Sequence, residues 1–176
     1  AIFFLMVEKY SKNKINFFIS QTISLGYAIP GAVIGLGIII LFTSVEDILS
    51  NKFSIFSFSL IGSFFVLIYA YVIRFLAVGK SPIKSSLEKH PESYDETAKN
   101  LGLGPFSLFK KIHFPINKWA LVIAFIVTFI DVLKELPITL ILRPFNFDTL
   151  ATQTFEFAVE EMIPLSSIYS LMIIII

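Results

Sequence analysis

The chain has 176 residues, of which 56% are apolar and only 15% charged, well short of the roughly 25% charged residues of a soluble domain. So much apolar surface excludes a water-soluble globular fold, and a formal net charge of +1 makes no electrostatic case for a nucleic-acid partner, which needs a basic face or stripe. The absence of cysteine removes disulfides, thiolate metal sites and cysteine nucleophiles.

No ionisable residue occurs in 15–45 or in 53–73, and a helix needs about 20 apolar residues to cross about 30 Å of hydrocarbon. In chain order the sequence predicts an apolar piece at 1–7, whole spans at about 22–42, 55–78 and 119–142, and a last apolar piece at 164–176. The expectation is an all-α, polytopic membrane helical bundle with three full and two truncated spans. Because the chain opens and closes inside apolar runs, it reads as an internal fragment, one transmembrane domain over 1–176. In the first whole span Gly31 and Gly35 form a small-xxx-small pair that permits close helix contact.

Basic residues are retained on the cytoplasmic side of a membrane. Lys9, Lys12 and Lys14 in the first connection, with Lys80, Lys84, Lys89, Lys99, Lys110, Lys111 and Lys118 in the 79–118 stretch, account for ten of the fourteen basic residues. These two loops are expected to be cytoplasmic. The other connections carry Glu46 and Asp47 against Lys52, then Asp148, Glu156, Glu160 and Glu161 against Arg143, and are expected on the outer side. Arg74, near the cytoplasmic end of its span, is read as an anchor reaching towards the headgroups.

The 79–118 loop is long for a connection between packed helices. Ser93 followed by Glu96 has the form of a capping box, so a helix is expected to start there. Its apolar stripe would be Tyr94, Ala98 and Leu101, and Gly102 sits where a left-handed residue closes a helix. Pro105 suits a first helical position; Phe106, Phe109 and Ile112 then follow at spacings of three, and Pro115 is expected to end this second short helix.

Taken together, Glu96, Thr97, Ala98, three residues, Gly102, nine residues, Ile112, one residue, Phe114 and Pro115 resemble the EAA loop of bacterial ABC importer permeases. That pattern reads Glu-Ala-Ala, three residues, Gly, nine residues, Ile, any residue, Leu, Pro, so the departures are Thr97 for Ala and Phe114 for Leu. The resemblance implies a type I importer permease bundle. It also implies a coupling helix, carried on Glu96, Ala98, Gly102, Ile112 and Pro115, that docks on a cytoplasmic ABC ATPase subunit dimer. ATP and Mg would then belong to that partner, with no cofactor, metal or catalytic residue on this chain. An extracytoplasmic solute-binding protein would deliver cargo, and the setting would be the bacterial inner membrane.

Beyond the loop, Asp131, Lys134 and Glu135 interrupt the third span about 18 to 24 Å along it at 1.5 Å per residue. Ionisable residues at such depth face a bundle interior or a water-filled path; here they form an i, i+3 and i, i+4 set, in which either acid can hold Lys134. Pro137 then breaks the helix, and freed backbone groups are tolerable at membrane depth only where protein or a cavity shields them. These four residues are the translocation-path candidates, and an interhelical ion pair is the structural alternative. The stretch from Asp131 to Pro137, with 142–150, is similar to two-repeat ferric-iron importer permeases, and thiamine permeases share parts of the pattern. Iron is therefore the first choice of cargo, ahead of thiamine or polyamines.

Two other function classes remain open on the residues alone. An ion-driven secondary transporter would use Asp131, Lys134 and Glu135 as a proton relay, and a membrane scaffold would use the central loop only to recruit a soluble protein. Gly79, Lys80 and Ser81 mimic the end of a phosphate-binding loop, but Arg74 stands where its first glycine belongs. His90 and His113, the only histidines, lack zinc-ligand spacing and read as solvated or packed loop residues.

Overall fold

The computed structural model describes residues 14–52, 60–89 and 93–176; the apolar piece predicted at 1–7 and His90 lie outside them. Regular structure among the described residues is helical throughout. The helices are α1 (Lys14–Ala28), α2 (Gly31–Lys52), α3 (Phe64–Glu88), α4 (Ser93–Asn100) and α5 (Pro105–Leu108). A π-helical turn (Phe109–His113) follows, then α6 (Phe114–Leu133), α7 (Pro137–Leu142), α8 (Leu150–Val159) and α9 (Ile163–Ile175). Three helical stretches are long and apolar enough to cross a membrane: Gly31–Ser50, Phe64–Glu88 and Phe106–Leu133.

Prolines and a widened turn move the predicted span limits. Pro30 has no N–H and disfavours helical geometry at the residue before it, so α1 stops at Ala28 and the Pro30 carbonyl opens α2 by accepting from Val33 and Ile34 at 3.0 and 3.2 Å. The span predicted at 22–42 is thus two helices, and the membrane-crossing one begins at Gly31. Part of the span predicted at 55–78 lies in 53–59, outside the described residues; α3 continues past 78 to Glu88 with Pro82 inside it. The start of the predicted 79–118 loop is therefore helix. The span predicted at 119–142 starts earlier and is interrupted after Leu133, leaving α7 as a separate short helix.

The chain forms two compact units. One holds 23–76 and 129–176. Within it α2 turns Ile34, Ile38 and Phe42, spaced by four, onto Val66, Leu67 and Ala70 of α3 and onto Ile138 and Leu142 of α7. In lipid no hydrophobic force drives helices together, so small residues and close packing hold them. Accordingly a Cβ on Gly35 would stand 3.2 Å from the side chain of Ile141. The opposite faces carry exposed Val33, Leu36 and Ile40 on α2 and Phe65, Ile68 and Val72 on α3, as lipid-facing helices do.

Near its end the same unit contains a helix where the sequence predicts only a connection. Thr149 accepts from the Thr152 N–H at 3.3 Å while the Thr152 hydroxyl accepts from the Thr149 N–H at 2.8 Å, a reciprocal cap that starts α8. Ser166 of α9 donates to the Thr154 carbonyl at 2.9 Å, and Phe157 stacks on Tyr169 at 5.4 Å.

The other unit takes Ala77–Thr128 and the described residues up to Thr22. Ile83 and Leu87 of α3 bury against Ala124 of α6, with Phe109 and Leu121 packed around them. Lys80 is buried and donates to both the carbonyl and the hydroxyl of Ser20, so it is a packed residue of this unit and not a solvated loop charge.

Candidate functional site

In the second unit, α4 and the turn after it carry the residues of the central loop pattern. The helix ends in a left-handed closure: Gly102 has φ +75° and the Leu103 N–H reaches back to the Ala98 carbonyl at 3.1 Å, the six-to-one bond of a glycine-terminated helix. The buried side of α4 is Asp95 and Ala98, at 6% and 1% exposure. Leu101, expected on that stripe, is 75% exposed, and Phe106 is 77% exposed.

The stripe fails because the next helix is not uniformly α. Buried positions run Leu108, His113, Asn117, Ala120 and Ala124. Their first interval is five residues, one turn of the π-helical segment, in place of the predicted spacing of three through Phe106, Phe109 and Ile112. The π turn also explains why Pro115 does not stop the helix. The Phe114 N–H bonds the Phe109 carbonyl, five residues back, and this widened turn relieves the crowding that a proline ring creates against the carbonyl four residues before it. Of the pattern residues, Glu96, Gly102 and Pro115 are exposed, Ile112 is half-buried, and Ala98 is buried within the unit. Ala98 therefore packs α4 in place.

In the first unit, four charged side chains gather near two helix breaks. Lys134 pairs with Asp131 at 2.7 Å. Glu135 turns away from that pair: its Oε2 lies 3.2 Å from Nε of Arg74, and its Oε1 accepts from the Ile138 N–H at 3.2 Å, capping the exposed start of α7. Arg74 donates in turn to the Ile29 carbonyl at 2.8 Å, at the break forced by Pro30. Its guanidinium also lies over the rings of Tyr27 and Phe75, at 5.9 and 5.8 Å.

Arg74 thus satisfies loose backbone at one break and the carboxylate that caps the other. The anchor role read for it from the sequence is corrected: its side chain is 16% exposed and turned inwards. The expected single set of Asp131, Lys134 and Glu135 divides into two pairs, because the Lys134–Leu136 interruption before Pro137 rotates Glu135 off the α6 face. Gly31 makes the node possible, since a Cβ there would come within 2.7 Å of the Glu135 carboxylate. The node has no exposed nucleophile or acid–base arrangement aimed at a ligand; what it offers is paired charge at irregular backbone, the condition under which such backbone survives at membrane depth.

The same unit carries a cleft of about 470 Å³ lined by Arg143, Phe145, Asn146, Asp148 and Glu156 among others. Arg143 is gripped by both Asp148 and Glu156; Asn146 has φ +59° and Phe145 is 94% exposed. All charges here are paired and partly solvated.

No family model matches the chain. It is 27% identical over 150 residues to the Fe(3+)-transport system permease protein FbpB 2 of Haemophilus influenzae, a match that covers 85% of this chain and 27% of that protein. Over most of its length the chain is thus similar to a protein named as a ferric-iron transport permease. It spans about a quarter of the length of that relative, and the likeness agrees with the permease resemblance carried by the central loop and by the stretch from Asp131 to Pro137. Both the likeness and the three helices long and apolar enough to cross a membrane agree with a helical membrane bundle.

The sequence does not show Arg74 as a member of the charged node, nor Asp95 with His113 as a buried pair, 2.8 Å apart. A signal existed for the first: Arg74 is the one charge between residue 53 and residue 79, and an arginine there needs an acidic partner. None existed for the second, because the π turn that brings His113 round has no sequence mark beyond the proline that follows it.

Proposed function

We propose that the chain is part of the transmembrane permease of an ATP-driven importer, with ferric iron as its cargo. The observation that carries this reading is the likeness, over most of the chain, to a permease named for Fe(3+) transport. The exposed glycine elbow supports it: Glu96, Leu101, Gly102 and Phe106 stand clear of the unit's core and form a small mixed surface that a groove on another protein would cover. On this reading that partner is a dimer of cytoplasmic ABC ATPase subunits, which holds ATP and Mg, while this chain binds no cofactor and hydrolyses nothing.

ATP-driven closure of the partners pushes α4, and the bundle alternates between inward and outward access to accept cargo from an extracytoplasmic binding protein. On this reading the 79–118 region lies on the cytoplasmic side of the inner membrane, which its excess of lysine supports. Asp131, Lys134, Glu135 and Pro137 line or brace the path at the second helix break.

The test is uptake of ferric iron by vesicles holding the full-length protein, its ATPase and its binding protein, compared with the Gly102→Asp variant. ATP-dependent uptake that the variant loses together with ATPase association supports the reading. Uptake driven by a proton gradient without the ATPase sinks it and moves the function to an ion-driven transporter working through Asp131, Lys134 and Glu135.

A further inference from the structure

We propose that Asp95 and His113 are positioning residues, a buried strut through which a push on α4 reaches the membrane-crossing helix α6. This inference rests on the coupling reading of the central loop and adds to it the residues that pass the motion on.

The helix α4 has eight residues and ends in a glycine turn where a Cβ would meet nothing within 4 Å. The glycine turn, closed by the Leu103 N–H on the Ala98 carbonyl, sets where α4 ends and leaves its seating on the rest of the unit to non-covalent contacts. On its outer side the described residues Leu101 and Glu96 are exposed. On the inner side Asp95 Oδ1 lies 2.8 Å from His113 Nε2, with the two side chains 8% and 4% exposed, and Ala98 is buried beside them in sequence and on the same helix side.

From His113 the line continues into α6. The His113 carbonyl accepts from the Asn117 side chain at 2.7 Å, and Asn117 is fully buried. Ala120 and Ala124 follow on the same side, and Ala124 packs against Ile83 and Leu87 of α3. An apolar contact can slide, since one methyl replaces another at little loss. A buried carboxylate and imidazole 2.8 Å apart resist sliding more, because separating them takes the ring nitrogen away from a carboxylate in a poorly solvated interior. A rotation of α4 must then carry the base of α6 with it, while the exposed Leu101 and Phe106 are left to grip the partner.

The experiment uses the full-length protein with its ATPase and binding protein in vesicles, and reads iron taken up per ATP hydrolysed. For Asp95→Asn and His113→Gln we expect the ATPase to stay bound and hydrolyse ATP while that ratio falls at least tenfold, and for the swap Asp95→His with His113→Asp we expect much of it to return. An unchanged ratio in both single variants overturns the strut, as does a fall that the swap leaves in place. Loss of ATPase binding, hydrolysis and uptake together, unrestored by the swap, also overturns it, since the pair would then only hold the fold. Absence of ATP-dependent uptake in the wild type overturns the permease reading itself, and this inference with it.

Discussion

Arg74 and Glu135 approach to 3.2 Å, and each also holds the ragged end of a different broken helix, Arg74 at the Ile29 carbonyl and Glu135 at the Ile138 N–H. Both breaks fall at a proline, which interrupts the helical ladder and leaves backbone groups at the helix ends to be satisfied elsewhere. In lipid there is no water to do so. The ion pair is therefore best understood as part of the backbone accounting of the bundle, with its charge balanced so that it can be buried.

Removing one partner of such a pair strands the other. Arg74→Leu leaves the Glu135 carboxylate without its cation and the Ile29 carbonyl without its side-chain donor, and Glu135→Leu leaves a largely buried guanidinium without its carboxylate; each is expected to destabilise the protein by about 3–5 kcal/mol. Arg74→Lys keeps the charge but has one compact ammonium where the arginine fork serves two acceptors, so it should fall between. Thermal unfolding of the purified full-length protein in detergent reads the order, and equal midpoints for Arg74→Leu and wild type would contradict the node.

The glycines offer a graded test of close packing. A Cβ on Gly26 would lie 2.4 Å from the Ile73 carbonyl oxygen, a backbone atom, and one on Gly31 would lie 2.7 Å from the Glu135 carboxylate and 3.2 Å from the Arg74 guanidinium. Gly37, on the same helix as Gly31, has nothing within 4 Å. Gly37→Ala should be neutral or stabilising by up to about 1 kcal/mol through helix propensity, whereas Gly26→Ala and Gly31→Ala force α1 from α3 and open the ion pair. The expected ranking in unfolding temperature is Gly37→Ala highest, then Gly31→Ala, then Gly26→Ala, where it is backbone that must move.

A smaller effect is expected beside the node. The hydroxyls of Tyr71 and Thr139 are 2.5 Å apart, Thr139 is fully buried, and its hydroxyl donates to the Glu135 carbonyl at 2.8 Å. Tyr71→Phe removes one bond and leaves Thr139 with the other, a loss of about 1 kcal/mol. Thr139→Val removes both and strands the half-buried tyrosine hydroxyl, so its unfolding midpoint should drop further than that of Tyr71→Phe.

What the sequence made legible was what depends on composition over a long window or on one residue with an unusual backbone. Uncharged runs longer than a bilayer located the membrane helices, and Gly102 marked the end of α4 because only a residue without a Cβ adopts φ +75° freely. Limits failed where a local exception decided them. Pro30 sits within an unbroken apolar run that hydropathy alone joins into one span, and Pro82 and Pro115, which usually end helices, are carried inside or next to them. The charged set failed for a geometric reason: spacing places Glu135 beside Asp131 only if the helix continues, and it stops at Leu133. Partners distant in sequence, such as Arg74 for Glu135, follow from the pairing of helices and not from any spacing.

The π turn and Pro115 are predicted to depend on one another. With five residues in that turn, Leu108 and His113 share a face and the proline ring clears the carbonyl before it. Deleting exposed Lys111 makes the interval four, so Leu108 and His113 still share a face on a regular α-helix, but the proline now sits in an ordinary helix interior, where its ring clash and missing bond cost about 3 kcal/mol. The deletion alone should therefore lower the unfolding midpoint of the full-length protein strongly. Adding Pro115→Ala to the deletion should recover most of the loss, whereas Pro115→Ala on its own should change stability little, because the widened turn already accommodates the proline. Equal effects of the deletion with and without the alanine would show that the turn is held by something other than Pro115.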